Sequence, residues 1–374
     1  MSTLKTTNLQ HASAASPAIV LASDGTATAQ LSSLNGGALS GARNRIINGD
    51  MRIDQRNAGA LVTAALGYPV DRFFVQTGSD AAFSYQRDTN APTGFSNSLK
   101  VTTTTADSSL TSGQYNRVVH NIEGFNTQDF LYGTASAKTV TLSFWVRSSI
   151  TGTHGGSFRN NAGDRSYPFS YSILAANTWE YKTITITGET TGTWLTDNGK
   201  GLEINWGLGT ASDMSGTAGA WGSATYLSAT GATGIAGTLN ATWYLSGVQC
   251  ELGSVATPFE RRSYGQELAL CQRYFQKSYR PSTAPGASTF DGMEWTNGAN
   301  ARISNTTRFA VQMRTSTTIV PYDSAGTANR VRTSAGDGQT GYAVRGTTEN
   351  NFTVDYTSGG ITELLYHWTA SSEL

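Results

Sequence analysis

From residue 139 to residue 147 the chain reads Thr-Val-Thr-Leu-Ser-Phe-Trp-Val-Arg. On an extended backbone Val140, Leu142, Phe144 and Val146 fall on one side, and Thr141, Ser143, Trp145 and Arg147 on the other. This period of two recurs in short runs separated by Gly, Ser, Thr and Asn, and it narrows the fold more than any other feature. It predicts strands over 68–76, 98–104, 117–122, 139–147, 179–187, 201–208 and 241–252. Strands at this spacing imply a β-sandwich or jelly roll of about 200 residues.

Composition points the same way. The chain has 374 residues, of which 53 are Thr and 41 are Gly, the residue types of strands and tight turns. Charged residues make up 14%, against about 25% in an average domain. An all-β class follows, and helical bundles, coiled-coil rods and α/β nucleotide-binding enzymes are excluded. Eight Trp, 16 Tyr and 14 Phe supply core anchors that a disordered chain lacks. Lys+Arg and Asp+Glu both number 26. No basic block offers a footprint for nucleic acid. A neutral, charge-poor surface fits a protein held in an assembly.

Four regions are expected. Residues 1–45 contain no aromatic residue and read as an extended arm. In it Ile19-Val20-Leu21 and the patch from Leu31 to Leu34 are expected to pair across a turn at Asp24-Gly25. Residues 46–262 form the jelly roll, with a small-residue loop at 209–238 that is functional or packed on a neighbour. Residues 263–279 hold a connecting helix, opened by the capping box Ser263-Tyr-Gly-Gln266 and running over 264–277. Tyr264, Leu268, Cys271 and Phe275 give it one apolar stripe. That stripe either closes on the sandwich edge as a lid or meets sister chains around an oligomer axis; Leu268, Cys271 and Phe275 are the candidate trimer contact. Residues 280–374 form a small C-terminal β-sandwich, with strands over 301–303, 308–314, 317–322, 329–333, 342–346, 351–356 and 361–370. The only cysteines are Cys250 and Cys271, too few for a disulfide framework, which fits synthesis in a reducing cytosol. No apolar run is long enough for a membrane-spanning helix.

The search for chemistry is mostly negative. His11, His120, His154 and His367 are scattered, and no metal-ligand spacing, nucleophile elbow or phosphate loop occurs. No cofactor is expected. Glu203 and Glu251 lie on strands, but a glycosidase needs two carboxylates about 5–10 Å apart, and lone strand glutamates are ordinarily solvated. The chain therefore reads as a non-enzyme. Aromatic residues on polar faces are the better lead. A flat ring can stack on a pyranose while planar polar groups bond its hydroxyls. Trp145, Arg147, Asn205 and Gln249 would form such a carbohydrate-binding set if their strands share one face; otherwise Trp145 belongs to an inter-sheet or subunit contact.

Several segments resemble bacteriophage virion proteins of the tail-fibre type. They are Asn44-Arg-Ile-Ile-Asn-Gly-Asp-Met-Arg-Ile-Asp-Gln-Arg56, Val70-Asp-Arg-Phe73, Leu142-Ser-Phe-Trp-Val-Arg-Ser148, Trp179-Glu-Tyr181, Thr190-Thr-Gly-Thr-Trp194 and Gly247-Val-Gln-Cys-Glu-Leu-Gly-Ser-Val-Ala-Thr-Pro-Phe-Glu-Arg-Arg262. The last runs on into Glu267-Leu-Ala-Leu-Cys-Gln-Arg-Tyr274. The resemblance implies a jelly-roll module similar to carbohydrate-binding modules, set in a homotrimeric tail fibre or tail appendage of the virion. Residues 1–45 would attach it to other virion proteins, and its partner would be host-surface polysaccharide. A head fibre or capsid decoration protein is the alternative, and a polysaccharide depolymerase the second alternative. The motifs look fold-forming: Asp71-Arg72 and Glu260-Arg261 read as ions that fix loops. Cys250 stands where the family leads one to expect Leu, which implies a core position.

Overall fold

A computed structural model of the chain describes residues 8–9, 19–21, 23, 27–29, 42–298, 302–357 and 360–374. In the arm, β1 (Asn8–Leu9), β2 (Ile19–Leu21) and β3 (Ala27–Ala29) form a small antiparallel sheet. Ile19 pairs with Ala29 and Leu21 with Ala27. The expected partner patch, Leu31 to Leu34, lies outside the described residues; Ala27–Ala29 takes its place opposite β2.

The central unit is an all-β jelly-roll sandwich, as the alternation predicts. Its strands are β4 (Leu66–Val70), β5 (Phe73–Gly78), β6 (Ala82–Asp88), β7 (Ser98–Thr105), β8 (Tyr115–Glu123), β9 (Val140–Ser148), β10 (Gly152–Arg159), β11 (Ser166–Ile173), β12 (Glu180–Ile186) and β13 (Lys200–Thr210). β14 (Ser215–Gly216), β15 (Ser228–Ala229) and β16 (Thr242–Leu252) follow. One sheet has the order β11-β10-β13-β8-β5-β4 and the other β12-β9-β16-β7-β6. Every adjacent pair in these two sheets is antiparallel. Val140, Leu142, Phe144 and Val146 are fully buried between the sheets. Trp206 meets Phe73 and Phe144 at ring-centroid distances of 6.2 and 5.9 Å. Burying one such side chain contributes about 1.5–3 kcal/mol.

The run at 68–76 is not one strand. Arg72 has φ +71°, a left-handed conformation that folds the run into the β4–β5 hairpin. Strands β6, β10 and β11 were not expected: Gly152-Thr-His-Gly-Gly-Ser157 of β10 lacks an apolar alternation, whereas β11 carries one in Tyr167, Phe169, Tyr171 and Ile173 that the sequence reading passed over. The glycines of β10 are placed by packing: a Cβ on Gly156 would lie 2.1 Å from the Asn205 carbonyl oxygen, and one on Gly155 2.4 Å from Ser228 Oγ. The 209–238 loop thus packs on its own sheet through the parallel β14–β15 pair.

Helix α1 (Tyr264–Gln272) starts with the expected capping box, Ser263 and Gln266 satisfying each other's backbone N–H groups. It ends before the expected residue 277, because Phe275–Lys277 is a strand, β17. The stripe expected to meet sister chains is covered within the chain. Cys271 is fully buried in a cluster with Ile47, Ile53 and Tyr274, and Leu268 packs against that cluster. Phe275 is buried, with the Arg56 guanidinium 3.9 Å from its ring. Cys271 and Phe275 are buried within the chain and so are not available as a trimer contact, while Leu268 packs against the same cluster and stays half-buried.

The C-terminal unit comprises β18 (Glu294–Asn297), β19 (Arg302–Arg308), β20 (Thr318–Tyr322), β21 (Val331–Thr333), β22 (Gly336–Gln339), β23 (Tyr342–Arg345), β24 (Asn351–Thr357) and β25 (Glu363–Ser371). β25 pairs with β17, β18, β20 and β21. β19, β24 and β23 form a second layer. Ile303, Phe352, Val354, Leu364, Tyr366 and Trp368 fill the core between them. Beyond Arg308, the expected strand at 308–314 is a loop: Met313 is buried and Arg314 turns back to bond Ser372, Glu373 and Asn198.

A polar seam joins the units. The buried Arg72 guanidinium pairs with Glu373, donates to the Asn121 carbonyl at 2.7 Å and lies 3.5 Å from the Tyr274 ring centroid. Arg56 pairs with Glu373 at 2.8 Å and with Asp71 at 3.4 Å. Arg273 and Tyr274 both donate to Glu123, the latter at 2.6 Å. Asp71 and Arg72 do fix loops, each through a different partner. Substituting Glu373→Ala is expected to cost about 3–5 kcal/mol, because it leaves a buried guanidinium without its counter-ion. Arg280→Ala, which removes an exposed pair with Asp291, should cost under about 1 kcal/mol. The denaturant midpoint of the first unfolding transition measures both.

Candidate functional site

Trp145 and Arg147 lie on the outer face of the five-stranded sheet, as alternation along β9 requires. The register places Tyr181 on β12 and Ser246 on β16 either side of Trp145, and Tyr244 opposite Arg147. The Trp145 and Tyr181 rings are 5.3 Å apart and tilted by 49°, and Tyr181 is 45% exposed. Beside them β16 carries a bulge between Ser246 and Gln249. Gly247, within it, has φ +59° and no room for a side chain: a Cβ would sit 2.7 Å from the Phe95 ring and 3.0 Å from the Trp145 indole. The glycine lets both rings close over the strand.

Cations border this aromatic strip. The Arg261 guanidinium lies 4.7 Å from the Phe95 ring and 5.7 Å from Phe259. Arg147 donates to the Asn177 carbonyl at 2.8 Å and lies 4.7 Å from the Tyr244 ring, with Lys100 Nζ 5.6 Å from that ring. Trp179 packs edge-on to Tyr244 at 6.0 Å and donates its indole N–H to Asn90 at 3.0 Å. Of these rings Tyr181 is exposed, Trp145, Phe95 and Trp179 are half-buried, and Tyr244 is buried beneath them. An aromatic ring with a free face, flanked by guanidinium groups, can stack on a flat apolar face while the cations donate hydrogen bonds at its rim.

Asn205 and Gln249 do not join this set. Asn205 belongs to β13 in the other sheet, so the sandwich core separates it from Trp145. It is fully buried, accepts from Arg117 at 2.7 Å and donates to Ser157 and Glu203, both at 3.1 Å. Gln249 shares the sheet of Trp145 but is also fully buried. Its amide donates to Glu251 at 2.8 Å and Thr257 at 3.1 Å, and its carbonyl accepts from the Glu260 N–H at 2.8 Å. Both side chains hold loops and neighbouring strands in place and have no capacity left for a ligand.

The two glutamates weighed as catalytic candidates lie on opposite sheets. Glu251 accepts from Thr257 through both oxygens. Glu203 is ringed by Arg117 at 2.8 Å, Arg159 at 3.0 Å and Lys200 at 2.5 Å. Burial opposes its charge, yet these three cations hold its carboxyl down to about 2. Cys250 is core, as its strand position implies, and burial pushes its thiol up to about 12. Both cysteines are free and buried.

Tyr181, Trp179 and Phe95 complete the platform, with the buried Tyr244 supporting it from below, and sequence reasoning did not gather them. Tyr181 and Trp179 share a strand face with period two, a signal that was present. Phe95, Phe259 and Arg261 come from loops, where no period exists.

No protein-family model and no curated protein matches the chain. Among solved structures it is similar to a family 4 carbohydrate-binding module, at 16% identity over 55% of this chain and 99% of that chain, with a TM-score of 0.31. It is similar to the enzymatically active domain of tailspike protein 4 of bacteriophage CBA120, at 14% identity over 56% of this chain and 21% of that chain, TM-score 0.29. A family 11 carbohydrate-binding module from Clostridium thermocellum, in complex with a beta-1,3-1,4-mixed-linked tetrasaccharide, is 12% identical over 52% of this chain and 99% of that one, TM-score 0.28. All three likenesses are distant.

The Glu203 cluster gives a signed pH prediction. Its carboxyl is lowered in the folded chain from an ordinary 4.5 to about 2. Its stabilising contribution is therefore present above pH 4.5 and lost as pH falls toward 2. Glu203→Gln should be less stable than the parent at pH 7 by a few kcal/mol, about 1.4 for each pKa unit. The gap should close as pH drops through that window, which paired denaturation curves at pH 7 and pH 3 measure.

Proposed function

We propose that the chain is a glycan-binding structural subunit of a phage particle, with the outer face of the five-stranded sheet as its binding surface. The observation that carries this reading is the Trp145–Tyr181 pair: two adjacent aromatic rings, one of them 45% exposed, on a flat strand face bordered by Arg147. A sugar ring presents one apolar C–H face and a rim of hydroxyls, which matches rings bordered by donors. A row of residues across three antiparallel strands suits a polymer lying along the surface.

The particle context rests on the sequence motifs between residues 44 and 275. In this reading residues 1–45 attach the chain to other virion proteins, the subunit is a trimer in a tail fibre or tail appendage, and it acts in adhesion, not catalysis. Because Cys271 and Phe275 are buried within the chain, a trimer contact at those two positions is not part of this reading. Native mass measurement of the purified chain tests the oligomer: a trimer is expected, and a monomer at micromolar concentration overturns that part.

Tyr181→Ala and Trp145→Ala test the surface. Each is expected to weaken binding to host-surface polysaccharide about 3- to 10-fold, the loss of one aromatic contact of about 0.5–1.5 kcal/mol. Tyr181 is the cleaner position because it lies at the exposed edge. Folded variants that bind polysaccharide as the parent does would overturn the assignment.

A further inference from the structure

A second polar site lies away from the aromatic strip, where the sandwich, α1 and the C-terminal unit meet. It is a cavity of about 290 Å³ lined by the Ile53-Asp54-Gln55 turn, Arg87 of β6, Tyr264, Leu268 and Gln272 of α1, and Lys277 and the turn after it. Tyr264, Leu268 and Gln272 are spaced by four and so face it from one side of the helix. The volume sits at the low end of small-molecule sites, which run to about 300–1,000 Å³.

The polar groups around it fall into two sets. Asp54 is already bonded: its oxygens accept from the N–H groups of Asn57 at 2.9 Å and Gly59 at 2.6 Å. Gln55 donates to Asp71 and to the Phe275 carbonyl. The others retain capacity. Lys277 donates to the carbonyls of Thr283 at 2.7 Å and Pro281 at 3.3 Å, which leaves its third N–H. Arg87 donates one N–H to the Arg52 carbonyl at 2.9 Å. Among the described residues neither cation has a carboxylate within 4.0 Å. The Gln272 amide and the Tyr264 hydroxyl bond no group among the described residues. Burial pushes the Lys277 ammonium down to about 8, the expected behaviour of a cation whose solvation the fold has only half replaced.

Tyr264 is exposed and Gln272 half-buried, so both groups are open to a ligand arriving from solvent, and the lining narrows its chemistry. Asp54 and Asp71 act electrostatically on Lys277, so the two cations do not create a strongly positive cavity, and an anion gains little. The free groups mix donors with acceptors, since Gln272 and Tyr264 can do either. Leu268 and Ile53 supply apolar contact. A compact molecule with several hydroxyls, each both donor and acceptor, and with apolar C–H groups matches that set. We propose that this junction cavity binds one neutral pyranose ring, such as the exposed terminal sugar of a glycan. It shares no residue with the aromatic strip, and its geometry differs: a strip follows a polymer, whereas a cavity of this size accepts a single ring.

Calorimetric titration of the full chain with glucose, galactose, N-acetylglucosamine and glucuronate tests this. At least one of the three neutral sugars should bind saturably and more tightly than glucuronate. Gln272→Ala and Lys277→Met should each weaken that binding about tenfold, the effect of one lost buried hydrogen bond. Trp145→Ala should leave it unchanged, which separates this site from the polysaccharide surface. Gln272 is a half-buried residue at the end of α1, so its variant decides the matter if Lys277→Met does not fold. The proposal is overturned if none of the neutral sugars binds, if glucuronate binds best, or if folded Gln272→Ala binds as the parent does.

Discussion

Arg72 sits where three parts of the chain meet, and the placement of everything after the sandwich depends on it. It occupies the β4–β5 turn, with its guanidinium enclosed by Glu373, the Asn121 carbonyl and the Tyr274 ring. A buried guanidinium is costly unless its charge and its donors are matched. Here a turn residue, a sandwich strand, the residues after α1 and the end of β25 must all arrive together to match it. The same enclosure explains His120, which burial first and then the Arg72 charge hold well below its usual range. One buried cation thus sets the mutual position of sandwich, helix and C-terminal unit.

Around that point the Asn44–Arg56 segment acts as an internal scaffold. The Asn48 side chain donates to the carbonyls of Ile53 and Asp71, at 2.8 and 2.9 Å, and accepts from the Ile53 N–H. The Asn44 side chain binds the backbone of Val248 and Cys250. Arg262 reaches the carbonyls of Ile46 and Asn44. These motif residues are fold-forming: they satisfy backbone groups of a buried loop that forms no regular ladder. Other motif segments supply surface positions as well: Trp145 and Arg147 lie within residues 142–148, and Trp179 and Tyr181 within residues 179–181.

The parts of the fold that could be read from sequence are those with local periodicity. β9 announces itself because four consecutive inward positions are large and apolar. The start of α1 was legible because a capping box is a local signal, but its end was not. Nothing near Gln272 says that Phe275–Lys277 will pair with β25, almost a hundred residues away. β10 was invisible for a related reason: its glycines are required by the Asn205 backbone and by Ser228, contacts that exist only in the assembled sandwich. The site divides similarly. Trp145 and Arg147 were found by alternation. Asn205 was misplaced because alternation gives a face within one sheet but does not say which sheet a strand joins. Lys277 and Gln272 carried no signal, since the cavity between them arises only when two units dock.

The position of β25 governs the order in which this molecule can be made. The sandwich strands end at residue 252, so its two sheets are complete while the ribosome is still adding later residues. The C-terminal unit has no such freedom. β17, β18, β20 and β21 all hydrogen-bond to β25, and until residue 371 emerges four strands have an open edge and no common partner. Their closure is a single late event that also delivers Glu373 to Arg72. Synthesis therefore runs from a finished sandwich to a waiting set of edges, and β25 is the keystone that locks both.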